Sequence, residues 1–107
     1  MNRLVLATIA NGGTTSNAVD VRGFNRYAFE LGAFTGATFT IHGSRTKAGT
    51  FQEVVGSTGT ALSFTATDDK LVTLTSDQND QLAPLHWLKI VSAGAEAAER
   101  TVWVHGA

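Results

Sequence analysis

The stretch that decides the fold is "ATFTIHGS", Ala37 to Ser44. Successive side chains of a β-strand point to opposite faces, so residues two apart share a face. Phe39 and Ile41 are therefore predicted to face a core, while the threonines between them and His42 face outward. An apolar–polar alternation of period two is typical of a strand that buries one face.

The same alternation recurs on both sides of this strand, in "RYAFEL" and in "ALSFTA". Short strands separated by Gly, Asn, Asp and Ser are typical of a β-sandwich or barrel, and no stretch is predicted to form a sustained helix. The predicted strands are Arg3–Ala10, Ala18–Arg22, Arg26–Leu31, Thr38–Arg45, Thr50–Val55, Ala61–Thr65, Leu71–Leu74, Leu85–Ser92 and Thr101–His105.

Composition limits the function classes. The 107 residues form one predicted domain, residues 1–107, with a net charge of −1 and 16% charged residues, against about 25% in an average protein. A nearly neutral chain does not attract a phosphate backbone, so nucleic acid is not an expected partner. The absence of cysteine excludes disulfides, thiolate metal sites and cysteine catalysis.

The first residues, "MNRLVLATIA", look like a very short signal peptide. The small residues Ala7 and Ala10 do not have the small-x-small spacing of a cleavage site. We interpret Arg3–Ala10 as the first strand, with no signal peptide. No apolar run approaches the roughly 18 residues that cross a bilayer, so no membrane partner is expected.

A wide polar turn follows this strand, in "NGGTTSNAVDVRG". Asn and Gly tolerate the positive φ of tight reversals, so Asn11-Gly12-Gly13 predicts a turn. After it, the alternation places two valines toward the core and Asp20 and Arg22 outward as an opposite-charge pair. Loops at the end of a sandwich are available for contacts with other molecules.

Two further segments are interpreted as loops. Ser76–Gln81 is polar and precedes Pro84, which belongs at or just before the start of a strand. Its Asp and Asn residues are consistent with Asx turns, or with a fragment of a calcium loop that lacks the EF-hand glycine and distal Glu. Ala93–Arg100 is Ala-rich but short and is broken by a glycine.

No catalytic or metal-binding constellation is evident. The three histidines, His42, His86 and His105, lie far apart in sequence and lack the local spacing of a zinc site. His42 and Ser44 share a strand face, which leaves a small hydrolase as a weak alternative. We expect no enzyme activity, no metal and no cofactor.

Trp87 and Trp103 are the aromatic residues of most functional interest. Each lies on a predicted strand face that is partly polar. If the two strands are neighbours, one patch holds two indoles, a lysine and a histidine, and exposed aromatic patches often mark interfaces. The alternative is that one or both indoles complete the core.

The segments "TIANGGTTSNAVDVRGF" and "PLHWLKIVSAGAEAAERTVWVHG" resemble small structural proteins of tailed bacteriophage heads. These are capsid decoration (cement) proteins and head-fibre bases. The resemblance implies a jelly-roll-like β-sandwich of about eight to nine antiparallel strands, and an immunoglobulin-like sandwich stays open as the alternative.

The resemblance further implies a virion protein, made in the host cytoplasm, that binds and stabilises the outer surface of the capsid. The implied partners are the major capsid protein and further copies of the chain, as a dimer or trimer. A carbohydrate- or receptor-binding module of a fibre or tail is the alternative. The candidate capsid or subunit contacts are Met1, Arg3, Leu4, Asn11, Thr14, Thr15, Asp20, Arg22, Trp87 and Trp103.

Overall fold

The computed structural model describes residues 2–107, so the predicted contact residue Met1 lies outside the described range. In chain order the elements are β1 (Arg3–Ile9), β2 (Val19–Asp20), β3 (Tyr27–Leu31), β4 (Thr38–Ser44), β5 (Gln52–Glu53), β6 (Ser63–Thr65), β7 (Leu71–Thr73), α1 (Ser76–Leu82), β8 (Trp87–Ser92) and β9 (Arg100–Gly106).

The strands form two antiparallel sheets. Sheet A has the order β1-β9-β3-β7, and sheet B has the order β2-β8-β4-β5, with β6 also paired to β4. The first strand pairs with the last, β2 with β8, β3 with β7, and β4 with β5 and β6, as when one long hairpin is rolled up. This is the strand order of a jelly roll. In the immunoglobulin alternative the first two strands would share a sheet.

Strands β5 and β6 together occupy one position in the roll. Both lie along the same edge of β4, β6 opposite Thr38–Thr40 and β5 opposite His42 and Gly43. Between them the chain makes a short excursion closed by a hydrogen bond from Gly56 N to Thr60 O (2.9 Å). Both strands are present where they were predicted, but each is shorter than the predicted ranges Thr50–Val55 and Ala61–Thr65.

The core lies between the sheets. Phe39 and Ile41, which the alternation predicted to face the core, are fully buried. The rings of Phe29, Phe39 and Phe64 lie with centroids 5.3 to 5.6 Å apart. Contacts of this geometry contribute about 0.5–1.5 kcal/mol each beyond area burial. The predicted inward alternation is therefore confirmed on strands of both sheets.

The prediction that Ser76–Gln81 is a loop is wrong, because this segment begins helix α1. Thr75 and Gln78 form a capping box, in which each side chain accepts from the other residue's backbone N–H. Leu82 is fully buried and anchors the helix to the core. A helix of this length shows too little periodicity to be recognised. No helix in residues 2–107 is long and apolar enough to cross a membrane.

Candidate functional site

The two tryptophans lie on opposite sides of the sandwich. Trp87 is on β8 in sheet B and Trp103 is on β9 in sheet A, and both are half-buried on the outer faces. A shared patch was expected only if the two strands were neighbours, and this condition is not met. Neither indole lies in the core between the sheets, so two separate surfaces have to be considered.

The outer face of sheet A carries a group of apolar side chains, which we call the leucine face: Leu4, Leu6, Leu71 and Trp103. The three leucines are 51%, 49% and 55% exposed. Leu6 lies opposite Trp103 on β9, and the row continues through Glu30 to Leu71 on β7. Exposed apolar side chains grouped on one sheet face mark a contact with another macromolecule more often than scattered single residues do.

One polar pair lies within the leucine face. His105 Nε2 is 2.8 Å from Glu30 Oε1, and both side chains are about half exposed. His105 is the cross-strand neighbour of Leu4, and Glu30 is the neighbour of Trp103. The pair therefore satisfies the two polar groups that interrupt the apolar rows.

The outer face of sheet B is cationic and aromatic. The guanidinium of Arg22 and the ammonium of Lys47 lie 5.4 and 5.9 Å from the centroid of the Trp87 ring. On the same sheet Lys89 lies 4.5 Å from the Phe51 centroid. The Trp87 ring is therefore already in contact with two cations of the same chain. Cation–π contacts at exposed sites contribute about 0.5–1 kcal/mol each.

His42 and Ser44 lie half-buried on this second face, as the alternation predicted. Cross-strand, His42 is opposite Lys89 on one side and Glu53 on the other. Within residues 2–107 no three His, Asp or Glu side chains are grouped as a metal site would require. The Asp and Asn residues of "SDQND" lie within helix α1, and Asn79 Oδ1 accepts a hydrogen bond from Tyr27 N (2.8 Å).

The predicted outward pair of Asp20 and Arg22 is confirmed. Arg22 Nη2 and Nε donate to the two carboxylate oxygens of Asp20 at 2.6 and 2.9 Å. These hydrogen bonds from Arg22 lower the pKa of Asp20 from 3.8 to about 2. Arg3 donates from Nη2 to Asp20 O (2.8 Å) and stacks over Phe24, 4.6 Å from the ring centroid. These three predicted contact residues therefore bind one another at one edge.

The wide polar turn after β1 has exposed side chains, but its backbone is held by hydrogen bonds. Asn11, Thr14 and Thr15 have exposed side chains, whereas the backbone around them is bound to the last loop and to β8. Ser92 N donates to Thr14 O (2.7 Å), Gly12 N donates to Glu96 O (2.7 Å), and Ser16 N donates to Ile90 O (2.9 Å). The turn therefore presents its side chains on a fixed rim.

Glu96 is the structural residue that the sequence analysis missed. It is 1% exposed and accepts hydrogen bonds from Thr35 N (2.7 Å), Gly36 N (2.9 Å), Ser92 Oγ (2.8 Å) and Arg100 Nε (3.1 Å). Burial alone would raise the pKa of Glu96, but these donors outweigh it and lower the pKa below its usual value. With its oxygens satisfied, the carboxylate joins the loops that carry its hydrogen-bond donors.

The remaining predicted contacts separate into three surfaces. Leu4 and Trp103 lie on the leucine face, Trp87 lies on sheet B near the Asp20–Arg22 pair, and the polar residues of the turn lie on the rim. The alternation of the sequence did not mark Leu6 or Leu71 as exposed. In "RLVLATI" both faces of the strand are apolar, so alternation does not reveal that the even-numbered leucines are exposed.

No family model, no curated protein and no solved structure matches this chain.

Proposed function

We propose that this chain is a structural virion protein that binds the outer surface of a phage capsid through its leucine face and stabilises the shell. The observation that carries the proposal is the grouping of Leu4, Leu6, Leu71 and Trp103 on the outer face of sheet A, with the leucines about half exposed. The resemblance of the two terminal segments to phage head proteins supports the choice of partner.

Burial energies favour docking through this face. Covering the exposed half of a leucine side chain contributes about 1 kcal/mol, and covering the remaining exposed surface of the half-buried Trp103 adds to this. The polar groups within the face, His105 and Glu30, already lie within hydrogen-bond distance of each other at 2.8 Å. Covering them therefore leaves neither side chain without a hydrogen-bond partner, which would be costly at an interface.

Repetition on a capsid strengthens modest single contacts. A shell offers many equivalent sites, and contacts that span neighbouring subunits act at a high effective concentration. A low charged fraction of 16% reduces the number of charges that must be desolvated. Jelly rolls serve as capsid and lectin domains, which agrees with the proposal at the level of fold alone.

The test adds the purified protein to undecorated phage capsids and measures co-sedimentation and the temperature of shell rupture. Binding with a raised rupture temperature is expected. A Leu6→Asp variant places a charge in the centre of the leucine face, and we expect it to reduce binding at least tenfold.

The matched control is Thr40→Asp, which places the same charge on the outer face of sheet B. It should bind as the unmodified protein does. Thermal melting of both variants shows whether the fold is retained. Equal loss in the two variants, or no binding by the unmodified protein, would contradict the proposal.

A carbohydrate-binding module is the second candidate, and the half-buried Trp87 favours it. Next to it along the sheet, a depression is lined by hydroxyl and cationic side chains, among them Ser44, Arg45 and Thr46. A sugar stacked on the indole would have to displace a cation that now lies over the ring. Glycan-array binding that is lost in Trp87→Ala and kept in Trp103→Ala would favour this candidate over capsid binding.

A further inference from the structure

Strand β1 is the edge of sheet A and has an open side. It pairs with β9 along its whole length on one side. On the other side Thr8 N donates to Asn17 Oδ1 (2.7 Å) and Thr8 O accepts from Asn17 N (3.2 Å). The backbone of Thr8 therefore points away from β9.

Backbone direction alternates along a strand, so Leu4 and Leu6 point their N–H and C=O groups the same way as Thr8. Within residues 2–107 no hydrogen bond reaches these groups from that side. The turn that follows β1 covers Thr8 alone. On this strand of seven residues, the N–H and C=O groups of Leu4 and Leu6 therefore remain open, which makes two donors and two acceptors.

Natural proteins protect an open edge with a proline, a bulge, a charge or a very short strand. The stretch Leu4–Ala7 has no proline and no charge. The edge strands β2 and β7 have two and three residues and are therefore protected by their length. β1 is the long edge left open, and its outward side chains are half-exposed leucines.

We propose that β1 pairs with β1 of a second copy of this chain, antiparallel about a two-fold axis at Val5. In this register Leu4 lies opposite Leu6 of the second copy and exchanges both backbone hydrogen bonds with it. The interface is isologous, because the same four open groups of each copy are satisfied. The pairing does not depend on capsid binding.

The side chains agree with this register. Leu4 and Leu6 project from the outer face of sheet A in both copies, so the leucine faces join into one band across the axis. The nearest charge on the strand, Arg3, falls opposite Ala7 of the second copy. No like charges therefore meet across the axis, and Arg3 keeps its contacts with Asp20 and Phe24.

The interface is small. Two residues of open backbone and their leucines cover less than the roughly 1,200–2,000 Å² of a standard stable interface. We therefore expect a reversible dimer with a micromolar dissociation constant, formed in sedimentation velocity runs as the protein concentration rises.

The test is Leu4→Pro. The proline removes an N–H that makes no bond inside the subunit, a position where edge strands tolerate proline. We expect the dissociation constant of the dimer to rise at least tenfold while the melting temperature of the monomer stays close to that of the parent. The control Leu71→Ser removes an equally exposed leucine from the far edge and should leave dimerisation unchanged.

Two further variants keep the test decisive. If Leu4→Pro does not fold, Leu4→Lys places a charge on the edge without a backbone change and should also weaken the dimer. Because the chain has no cysteine, Val5→Cys introduces a single thiol at the axis, where Cα atoms about 4.5 Å apart permit a disulfide. Cross-linking is expected for Val5→Cys and not for Leu71→Cys.

A protein that stays monomeric at millimolar concentration overturns the proposal. So does a dimer that Leu4→Pro and Leu4→Lys leave unchanged, or one that cross-links through Leu71→Cys. Capsid binding by a strictly monomeric protein would overturn this pairing while leaving the proposed function intact.

Discussion

The polar stretch Asn11–Arg22 has at each end a residue with a paired carboxylate, Glu96 beside its start and Asp20 near its end. At its start the backbone of Gly12 and Gly13 bonds to the backbone of Glu96, whose side chain is fully buried and bound to Arg100. At its end the Asp20 carboxylate, one-third exposed, pairs with Arg22 two residues away. An ion pair at short distance therefore lies at each end, but the surroundings of the two pairs differ.

The difference lies in what each carboxylate connects. Glu96 joins segments that are 60 residues apart in sequence, since it accepts from Gly36 N, while Asp20 closes a local turn. A buried carboxylate that loses its charge accepts fewer hydrogen bonds and leaves a buried cation without its counter-ion, whereas water replaces the partners of an exposed one. The two ends of one loop should therefore respond very differently to the same chemical change.

The largest effect is expected for Glu96→Gln. The side chain keeps its size, but the partly buried Arg100 loses its counter-ion and a donor replaces one acceptor. Breaking a buried pair costs about 3 kcal/mol or more, which lowers Tm by more than about 10 °C in a domain of this size. Calorimetry measures it, with Glu99→Gln as the exposed control. A loss below about 1 kcal/mol would contradict the assigned role.

Gly36→Ala tests the same end from the other side. A Cβ on Gly36 would collide with Ser92 Oγ and approach Glu96 Oε2 to 3.4 Å. Overpacking of this kind costs about 1–3 kcal/mol. Gly32→Ala is the matched control, because a Cβ there meets nothing within 4 Å. Denaturant unfolding measures the free energy of unfolding of both variants. Equal values would show that the side chains around Glu96 move enough to accept the added methyl group.

Acidification compares both ends in one experiment. The pKa values of Glu96 and Asp20 are lower in the folded chain than in the unfolded chain, so the unfolded state takes up protons first. Stability from both groups is present above about pH 5 and is lost as pH falls through the folded pKa values. We expect Tm to fall between pH 5 and pH 2. The fall in Tm should be smaller in Glu96→Gln than in the parent. If Tm falls equally with pH in both proteins, the pH dependence comes from other carboxylates.

The smallest effect is expected for Asp20→Asn. Exposed ion pairs contribute about 0–1 kcal/mol, and salt screens them. The change in unfolding free energy should be below about 0.5 kcal/mol in 0.5 M salt, measured against Glu53→Gln as a neutral exposed control. A loss as large as that of Glu96→Gln would remove the contrast between the two ends.

The sequence predicted the strands and their buried faces because alternation is a local property. Phe39, Ile41 and Phe64 were assigned inward from period two alone, and they are buried. The Asp20–Arg22 pair was likewise visible, because its members are two residues apart. Helix α1 was missed although its capping box, Thr75 to Gln78, is a local signal, since the helix is only seven residues long.

The candidate surfaces were less predictable. Leu6 and Leu71 carry no local mark of exposure, because leucine at a strand position is ordinarily a core residue. A patch shared by Trp87 and Trp103 depended on their strands being neighbours, and the assignment of these strands to different sheets separates the two indoles. Glu96 and Glu99 look alike in "AEAAER", and remote partners distinguish them.

By itself the sequence determined an all-β domain with defined inward faces, since side-chain direction in a strand follows from neighbours in the chain. Tertiary structure alone decided which strands are neighbours, which edge is left open, which leucines meet solvent and which glutamate is buried. Those properties depend on contacts between residues far apart in the chain. A local sequence pattern does not predict them, because contacts between residues distant in sequence form only when the whole core packs.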